Sequence, residues 1–278
     1  MAKLLEGKIL AEQIKSILKD KIQAANKKLK LVSIQVGINP ASEVYVKSQK
    51  KMADLLGIEY QLHQMDRVTD EDGLTSFIKK LNQDDSVSGI IVQLPLPLHI
   101  DYKRISQFIA PEKDAEGMNP LNLGKVIFGK AKILPCTAAA VMELLGSIGI
   151  NLSGKEVVIV GHSEIVGKPL SLLLLDKLAT VTVCHFGTYK AGKLEEHIKR
   201  ADVLIMAVGK AGLVKGEWIK EGAIVIDVGI NKVGDKIVGD VDFEGASKKA
   251  SWITPVPGGV GPLTVVMLMR NLVEGAKL

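Results

Sequence analysis

Lys155-Glu-Val-Val-Ile-Val-Gly161-His162-Ser163-Glu164-Ile165-Val166-Gly167-Lys168-Pro169-Leu170 decides how the chain is read. A polar entry leads into an unbroken aliphatic run, then a glycine turn, then an apolar stretch over 170–178. That succession predicts a buried strand, a tight turn and a helix, the opening unit of a dinucleotide-binding βαβ fold. Gly161 allows a sharp turn beneath a phosphate, and Gly167 lets the helix start close against the strand. The helix N-terminus then offers free N–H groups and a partial positive charge to a pyrophosphate. The spacing G-x-S-x-x-x-G departs from G-x-G-x-x-G, and similar units occur in α/β proteins that bind no nucleotide. The turn alone leaves both readings open.

Composition narrows the class. A chain of 278 residues has room for two domains, and it is 47% hydrophobic but only 4% aromatic. Aliphatic weight of this kind suits an α/β protein with buried parallel strands. No apolar run approaches the roughly 20 residues that span a bilayer, and Met1-Ala-Lys-Leu-Leu-Glu-Gly has no signal-peptide core. A cytoplasmic location is the expectation. Cys136 and Cys184 sit beside small or apolar residues and are expected as buried thiols, with no metal centre. The net charge of +5 comes from scattered lysines, which suits an anionic small molecule and gives no stripe for nucleic acid.

Along the chain, Leu10, Ile14, Ile17, Leu18 and Ile22 fall at helical spacing, predicting a helix to about Asn26. A strand over 31–36 and a helix over 42–56 closed by Gly57 follow. Ile58, Tyr60 and Leu62 alternate as a strand would. Thr69-Asp-Glu-Asp72 opens a helix to about Leu81, and 87–94 reads as a buried strand ending in Pro95-Leu96-Pro97. A short helix over 101–109 precedes the loop Pro111-Glu-Lys-Asp114-Ala-Glu116-Gly117. Thr137 is expected to cap a linking helix to about Ile148. Beyond it come strands over 156–161, 180–184, 203–208 and 223–228, with helices over 168–178, 194–200 and 216–220. Pro255-Val-Pro257-Gly-Gly-Val-Gly-Pro262 reads as a stiff loop before an apolar last helix over 263–274. Two α/β domains result: 1–140, completed by 263–278, and a Rossmann-type dinucleotide domain over 141–262, with a ligand expected in the cleft between them.

Some residues could carry chemistry. Tyr45 and Gln49 are four apart on one helix face. Gln93 ends a buried strand, where open α/β sheets bind ligands. Asp114 and Glu116 share a loop. Each also has a plain reading, as a half-buried tyrosine, a strand-end cap or a solvated turn.

In order, the chain reads Asn39-Pro-Ala-Ser42-x-x-Tyr45-Val46, Val92-Gln93-Leu94-Pro95-Leu96-Pro97, Pro111-Glu-Lys-Asp114 and Gly161-x-Ser163-x-Ile165-Val166-Gly167-x-Pro169. Cys184-His185 and Pro255-Val-Pro257-Gly-Gly-Val-Gly-Pro262 complete the set. This closely resembles the bacterial FolD family, the 5,10-methylenetetrahydrofolate dehydrogenase/cyclohydrolases, over nearly the whole chain. The resemblance implies hydride transfer from the methylene bridge of the folate to a nicotinamide, then hydrolysis of the methenyl product to 10-formyltetrahydrofolate. It implies that Tyr45 stacks on the folate and that Gln93 holds the catalytic amine. Folate contacts carry over to Val92, Leu94, Glu116, Pro257, Gly258, Gly259, Val260, Gly261, Pro262 and Thr264. Dinucleotide contacts carry over to Thr137, Gly161, His162, Ser163, Ile165, Gly167, Phe186, Val208, Gly209 and Ile230. A homodimer built through the nucleotide domains is implied as well.

The chain departs from the family at four places. Gln49 stands where the family has the lysine that organises proton traffic in ring opening, and an amide cannot titrate. Glu116 replaces an aspartate that grips the pterin, displacing the carboxylate by about 1.5 Å. Dehydrogenase activity is therefore expected to persist, with Tyr45, Gln49, Gln93 and Glu116 as its catalytic set, and cyclohydrolase activity to be weak or absent. His162 and Phe186 replace an arginine and a serine that hold the 2′-phosphate of NADP, a narrow lean to NAD. No acidic residue ends the strand at Cys184-His185-Phe186, so NADP stays open, with His162, Lys168 or Lys190 as its holder. The alternatives are a non-catalytic dinucleotide- or folate-binding paralogue and another two-domain Rossmann dehydrogenase, which gives the proline-rich motifs no role.

Overall fold

A computed structural model describes residues 1–278 apart from the side chains at positions 40 and 41, so Pro40 and Ala41 of the first motif lie outside the described residues. The chain forms two compact units, Met1–Glu12 with Thr137–Thr264, and Gln13–Cys136 with Val265–Leu278. It passes between them within the helices Gly7–Ala25 and Val260–Gly275 and at the start of Cys136–Ser147. Residues 1–12 were expected with the first domain. They go instead with the other unit, because Lys3–Leu4 pairs in parallel with Trp252–Ile253.

That unit holds a six-stranded sheet in the order Lys3–Leu4, Trp252–Ile253, Ile224–Asp227, Val203–Met206, Glu156–Val160, Thr180–Cys184. Every pairing is parallel. Chain order reverses at Glu156–Val160: the next strand lies on one side of it and Val203–Met206 on the other. In such sheets the crevice at the C-terminal end of this switch point is where ligands bind. Val158, Val160, Leu204, Met206 and Val225 share a core cluster with Ile198 and Ala246. Each large aliphatic side chain buried there contributes about 1.5–3 kcal/mol.

The other unit is built on a three-stranded parallel sheet in the order Glu59–Met65, Lys30–Val36, Gly89–Val92. Val32, Ile34 and Val36 pack one face against Leu74, Ile78 and Ile105. Alternation sends Ser33 and Gln35 to the opposite face, where both are buried. Leu62 does not follow the expected alternation and is exposed, as its strand forms an edge of the sheet. The third helix is Glu71–Gln83, capped by Asp70, whose carboxylate accepts the Gly73 N–H at 2.8 Å, one residue later than Thr69.

Other elements differ from expectation. The helix expected over 101–109 is only Tyr102–Ser106, capped by Asp101. Pro120–Ile127, Phe186–Lys190, Phe243–Ser247 and the hairpin Asn231–Val233 with Lys236–Val238 were not anticipated, being short and without a clear apolar period. The last helix starts at Val260, so Gly261 and Pro262 lie in its first turn rather than in a loop. Proline is tolerated there because the first-turn N–H has no helical partner. Thr137 lies inside the helix Cys136–Ser147 and is not its cap.

Candidate active site

The helix Pro40–Leu56 carries Tyr45 and Gln49 one turn apart. Tyr45 is 47% exposed, an aromatic face open to a ligand, while Gln49 is buried. Gln93 follows the strand Gly89–Val92 and is also buried. Its Nε2 donates to Gln49 Oε1 at 2.7 Å and to Ser33 Oγ at 3.0 Å. The Tyr60 hydroxyl donates to the same Gln49 oxygen at 3.0 Å. Two donors thus occupy the Gln49 carbonyl and leave its NH2 as the group it can offer outward. Such a cluster can donate and accept hydrogen bonds, but none of its amides can carry a proton away.

Glu116 sits on the neighbouring loop. A parallel bridge between Ile90 and Asp114 sets that loop beside the strand Gly89–Val92, and Glu116 follows in the turn that Gly117 closes back onto Asp114. Asp114 is buried and structural: it accepts N–H bonds from Gly117 and Asn119 at 3.0 and 2.7 Å and from Asn122 Nδ2 at 3.0 Å. Lys113 ties the loop's base by donating to the carbonyls of Leu81, Asn82 and Asp84. Glu116 Oε2 accepts the Tyr102 hydroxyl at 2.8 Å. Burial pushes the Glu116 carboxyl up to about 7; the Tyr102 bond opposes that rise and the Asp114 charge adds to it.

In the sheet unit, Gly161 has φ +122° and its N–H donates to the Cys184 carbonyl at 2.9 Å. A Cβ at Gly167 would fall on the Gly161 carbonyl oxygen. The turn is therefore a cradle that only glycine permits, and the helix Gly167–Leu175 behind it has no side-chain cap on its N–H groups. Ile165, Phe186, Val208 and Ile230 are all exposed. Exposed apolar side chains in the unit that holds this glycine turn suit a ligand with flat rings, and the close approach at Gly161 and Gly167 suits a diphosphate, as in a nicotinamide dinucleotide. His162 and His185 meet edge to face at 5.2 Å. His185 Nδ1 accepts the Gly187 N–H at 3.1 Å and caps Phe186–Lys190, and Lys190 Nζ lies 4.7 Å from the Phe186 ring centre.

The structure thus joins Gln49 to Gln93 directly in one unit, with Tyr45 one turn from Gln49 on its helix and Glu116 on the loop bridged to Gly89–Val92, and holds the Gly161–Gly167 turn with Ile165, Val208 and Ile230 in the other. Val92 is fully buried in the core, so only its backbone could meet a substrate. The Leu94 carbonyl accepts the Ser42 hydroxyl at 2.8 Å, and both Leu94–Pro95 and Val256–Pro257 are cis. Thr264 spends its hydroxyl on the Gly261 carbonyl at 2.8 Å. Both cysteines are free; Cys184 is buried and Cys136 half-buried. Among the described residues no helix is long and apolar enough to cross a membrane, and no group of His, Cys, Asp or Glu is placed to hold a metal. Ser33, Tyr60 and Tyr102 were missed. Ser33 alone had a signal, as a hydroxyl inside the apolar run Leu31-Val-Ser-Ile.

A dinucleotide turn at the switch point of a parallel sheet, with a separate unit presenting a polar cluster, defines a two-unit NAD(P)-linked enzyme. Residues 5–116 match the tetrahydrofolate dehydrogenase/cyclohydrolase catalytic domain and residues 135–278 that family's NAD(P)-binding domain. The chain is 50% identical over 281 residues to the bifunctional protein FolD of Acetivibrio thermocellus, covering 100% of this chain and 98% of the relative. The crystal structure of FolD from Campylobacter jejuni superposes with a TM-score of 0.95 at 45% identity, covering 100% and 99% of the two chains. FolD of Trypanosoma brucei, solved with NADP and an inhibitor, gives 0.94 at 38% identity over 99% and 97%. The chain belongs to the tetrahydrofolate dehydrogenase/cyclohydrolase family and is an enzyme with that family's catalytic and NAD(P)-binding domains.

Proposed function

We propose that the chain oxidises 5,10-methylenetetrahydrofolate to the 5,10-methenyl form in one-carbon metabolism, prefers NAD to NADP, and performs the following hydrolysis to 10-formyltetrahydrofolate weakly. The carrying observation is the Gln49 amide with its carbonyl oxygen occupied by Tyr60 and Gln93. Held this way, Gln49 offers a hydrogen-bond donor to the substrate but no titrating group to ring opening. Tyr45 stacks on the pterin, and the ionised Glu116 accepts its N–H groups. The loop Pro257, Gly258, Gly259 borders the folate, with Val260, Gly261 and Pro262 continuing as the first turn of the last helix.

When bound, the nicotinamide supplies the hydride acceptor, taking two electrons and one hydrogen from the methylene carbon. This chain's residues hold and orient it. The start of Gly167–Leu175 faces the pyrophosphate with the Gly167 N–H, since Lys168 donates to the Ser163 carbonyl and Pro169 has no N–H, and Ile165, Val208, Gly209 and Ile230 border the dinucleotide, with Thr137 and Ser163 at its margins. His162 and Phe186 replace the family's phosphate partners, which supports NAD, and kcat/KM for the two dinucleotides tests it. The free cysteines suit a cytoplasmic, reducing location, and the family precedent supports a homodimer through the nucleotide units.

The deciding experiment supplies methenyltetrahydrofolate and follows its enzyme-dependent decay, beside the dehydrogenase assay with each dinucleotide. Robust decay, unchanged in Gln49→Ala, overturns the hydrolysis part. No reduced dinucleotide with either cofactor supports a binding-only paralogue instead.

A further inference from the structure

We infer that Asp227 and Asp240 are positioning residues that hold the two dinucleotide-facing loops in their binding conformation. The inference rests on the reading above that Val208, Gly209 and Ile230 border the dinucleotide. These residues lie just beyond the strands Val203–Met206 and Ile224–Asp227, at the C-terminal edge where parallel sheets bind ligands.

Both carboxylates are buried, and a carboxyl group rarely goes fully inside unless it is partnered. Asp240 Oδ2 accepts the N–H groups of Val208 and Gly209 at 2.8 and 3.0 Å. Its Oδ1 accepts the Lys210 N–H at 2.8 Å and Asn231 Nδ2 at 2.9 Å. Consecutive backbone donors converging on one anion form a nest, here filled by the chain's own side chain. Asp227 does the same for the neighbouring loop: Oδ1 accepts the N–H groups of Gly229 and Asp240 at 2.9 and 3.1 Å, and Oδ2 that of Val241 at 2.9 Å. The Asp227 N–H is in turn held by Thr254 Oγ1 at 2.7 Å.

An amide could not substitute, because only one of its terminal atoms accepts, whereas both carboxylate oxygens do. The donors that are tied down flank exposed Val208 and Ile230. Loops fixed this way need not be ordered when the dinucleotide arrives, so its affinity gains what ordering would otherwise cost. Neither carboxylate touches a reacting atom; each acts through backbone.

The test is Asp240→Asn in the full-length enzyme. Dinucleotide KM should rise about tenfold or more, while folate KM and kcat at saturating dinucleotide stay within about threefold of wild type. A lowered melting temperature with both KM values unchanged would mean a merely structural role and overturn the inference. Should Asp240→Asn fail to fold, Asn231→Ala removes a single donor, and a rise of about threefold confined to dinucleotide KM is expected. No rise overturns the inference there too. Val208→Ala and Ile230→Ala separate the two levels. If neither alters dinucleotide KM, the loops do not border the cofactor and both readings fall. If they alter it and the Asp240 and Asn231 variants do not, the positioning inference alone falls.

Discussion

Replacing Tyr102 with phenylalanine asks whether the Glu116 carboxylate is the group that grips the substrate. The hydroxyl donates to Glu116 Oε2 at 2.8 Å, in a half-buried site where burial has already pushed the carboxyl up to about 7. A hydrogen bond to a charged acceptor contributes about 1.5 kcal/mol, equivalent to about one pH unit. The bond favours the ionised form, so deleting it moves the carboxyl about one unit further upward. If capture of the pterin needs the ionised form, activity is lost as pH falls through this value, and the variant loses it earlier. At neutral pH the ionised fraction drops from about one half to about one tenth, a loss of about fivefold in kcat/KM for methylenetetrahydrofolate. At about pH 9 the two enzymes should match. The assay is kcat/KM from about pH 6 to 9 at saturating dinucleotide. Superimposable acid limbs would refute the role given to Glu116.

Gln49→Lys should raise enzyme-dependent hydrolysis of methenyltetrahydrofolate by about a hundredfold, since it restores a titrating group; stopped-flow decay measures it. Glu116→Gln should stabilise the protein by roughly 1 kcal/mol at alkaline pH while weakening folate binding. A carboxyl raised by burial favours folding below its unfolded value, and that advantage is lost as pH rises from about 4.5 through about 7, so the melting temperatures should converge in acid, separate across that range and stay apart by a constant margin above neutrality. His162→Arg should move the NADP/NAD ratio of kcat/KM toward NADP by about tenfold or more through a charge-assisted bond to the 2′-phosphate. Gly167→Ala, whose methyl would fall on the Gly161 carbonyl, should raise dinucleotide KM and lower the melting temperature, read by kinetics and scanning calorimetry.

The central sheet strands were legible because parallel strands buried on both faces read as unbroken aliphatic runs, as Val203–Met206 does; the two-residue strands Lys3–Leu4 and Trp252–Ile253 were too short to leave such a run. Boundaries set by a single cap were less so: Asp70, not Thr69, begins its helix. The helix Pro120–Ile127 was invisible because Leu121 and Ile127 are exposed and its apolar stripe is short. Tyr45, Gln49, Gln93 and Glu116 could be named from order and resemblance. Their partners Tyr60 and Tyr102 could not, because contacts across sheets and loops leave no period in the sequence. The buried acids at 227 and 240 share that cause: their partners are backbone N–H groups, which every sequence supplies alike.

Asn271, on the helix Val260–Gly275, donates to the carbonyl of Ala115 at 3.0 Å, 156 residues earlier in the chain, and to that of Leu134 at 2.7 Å. The loop presenting Glu116 is thus clasped by a residue that follows every strand of the nucleotide-type sheet in chain order. A ribosome emits the nucleotide-type sheet whole before it can finish the folate unit, so nascent and C-terminally clipped chains share one defect. Until Asn271 is in place, the loop that presents Glu116 lacks its donors to the Ala115 and Leu134 carbonyls.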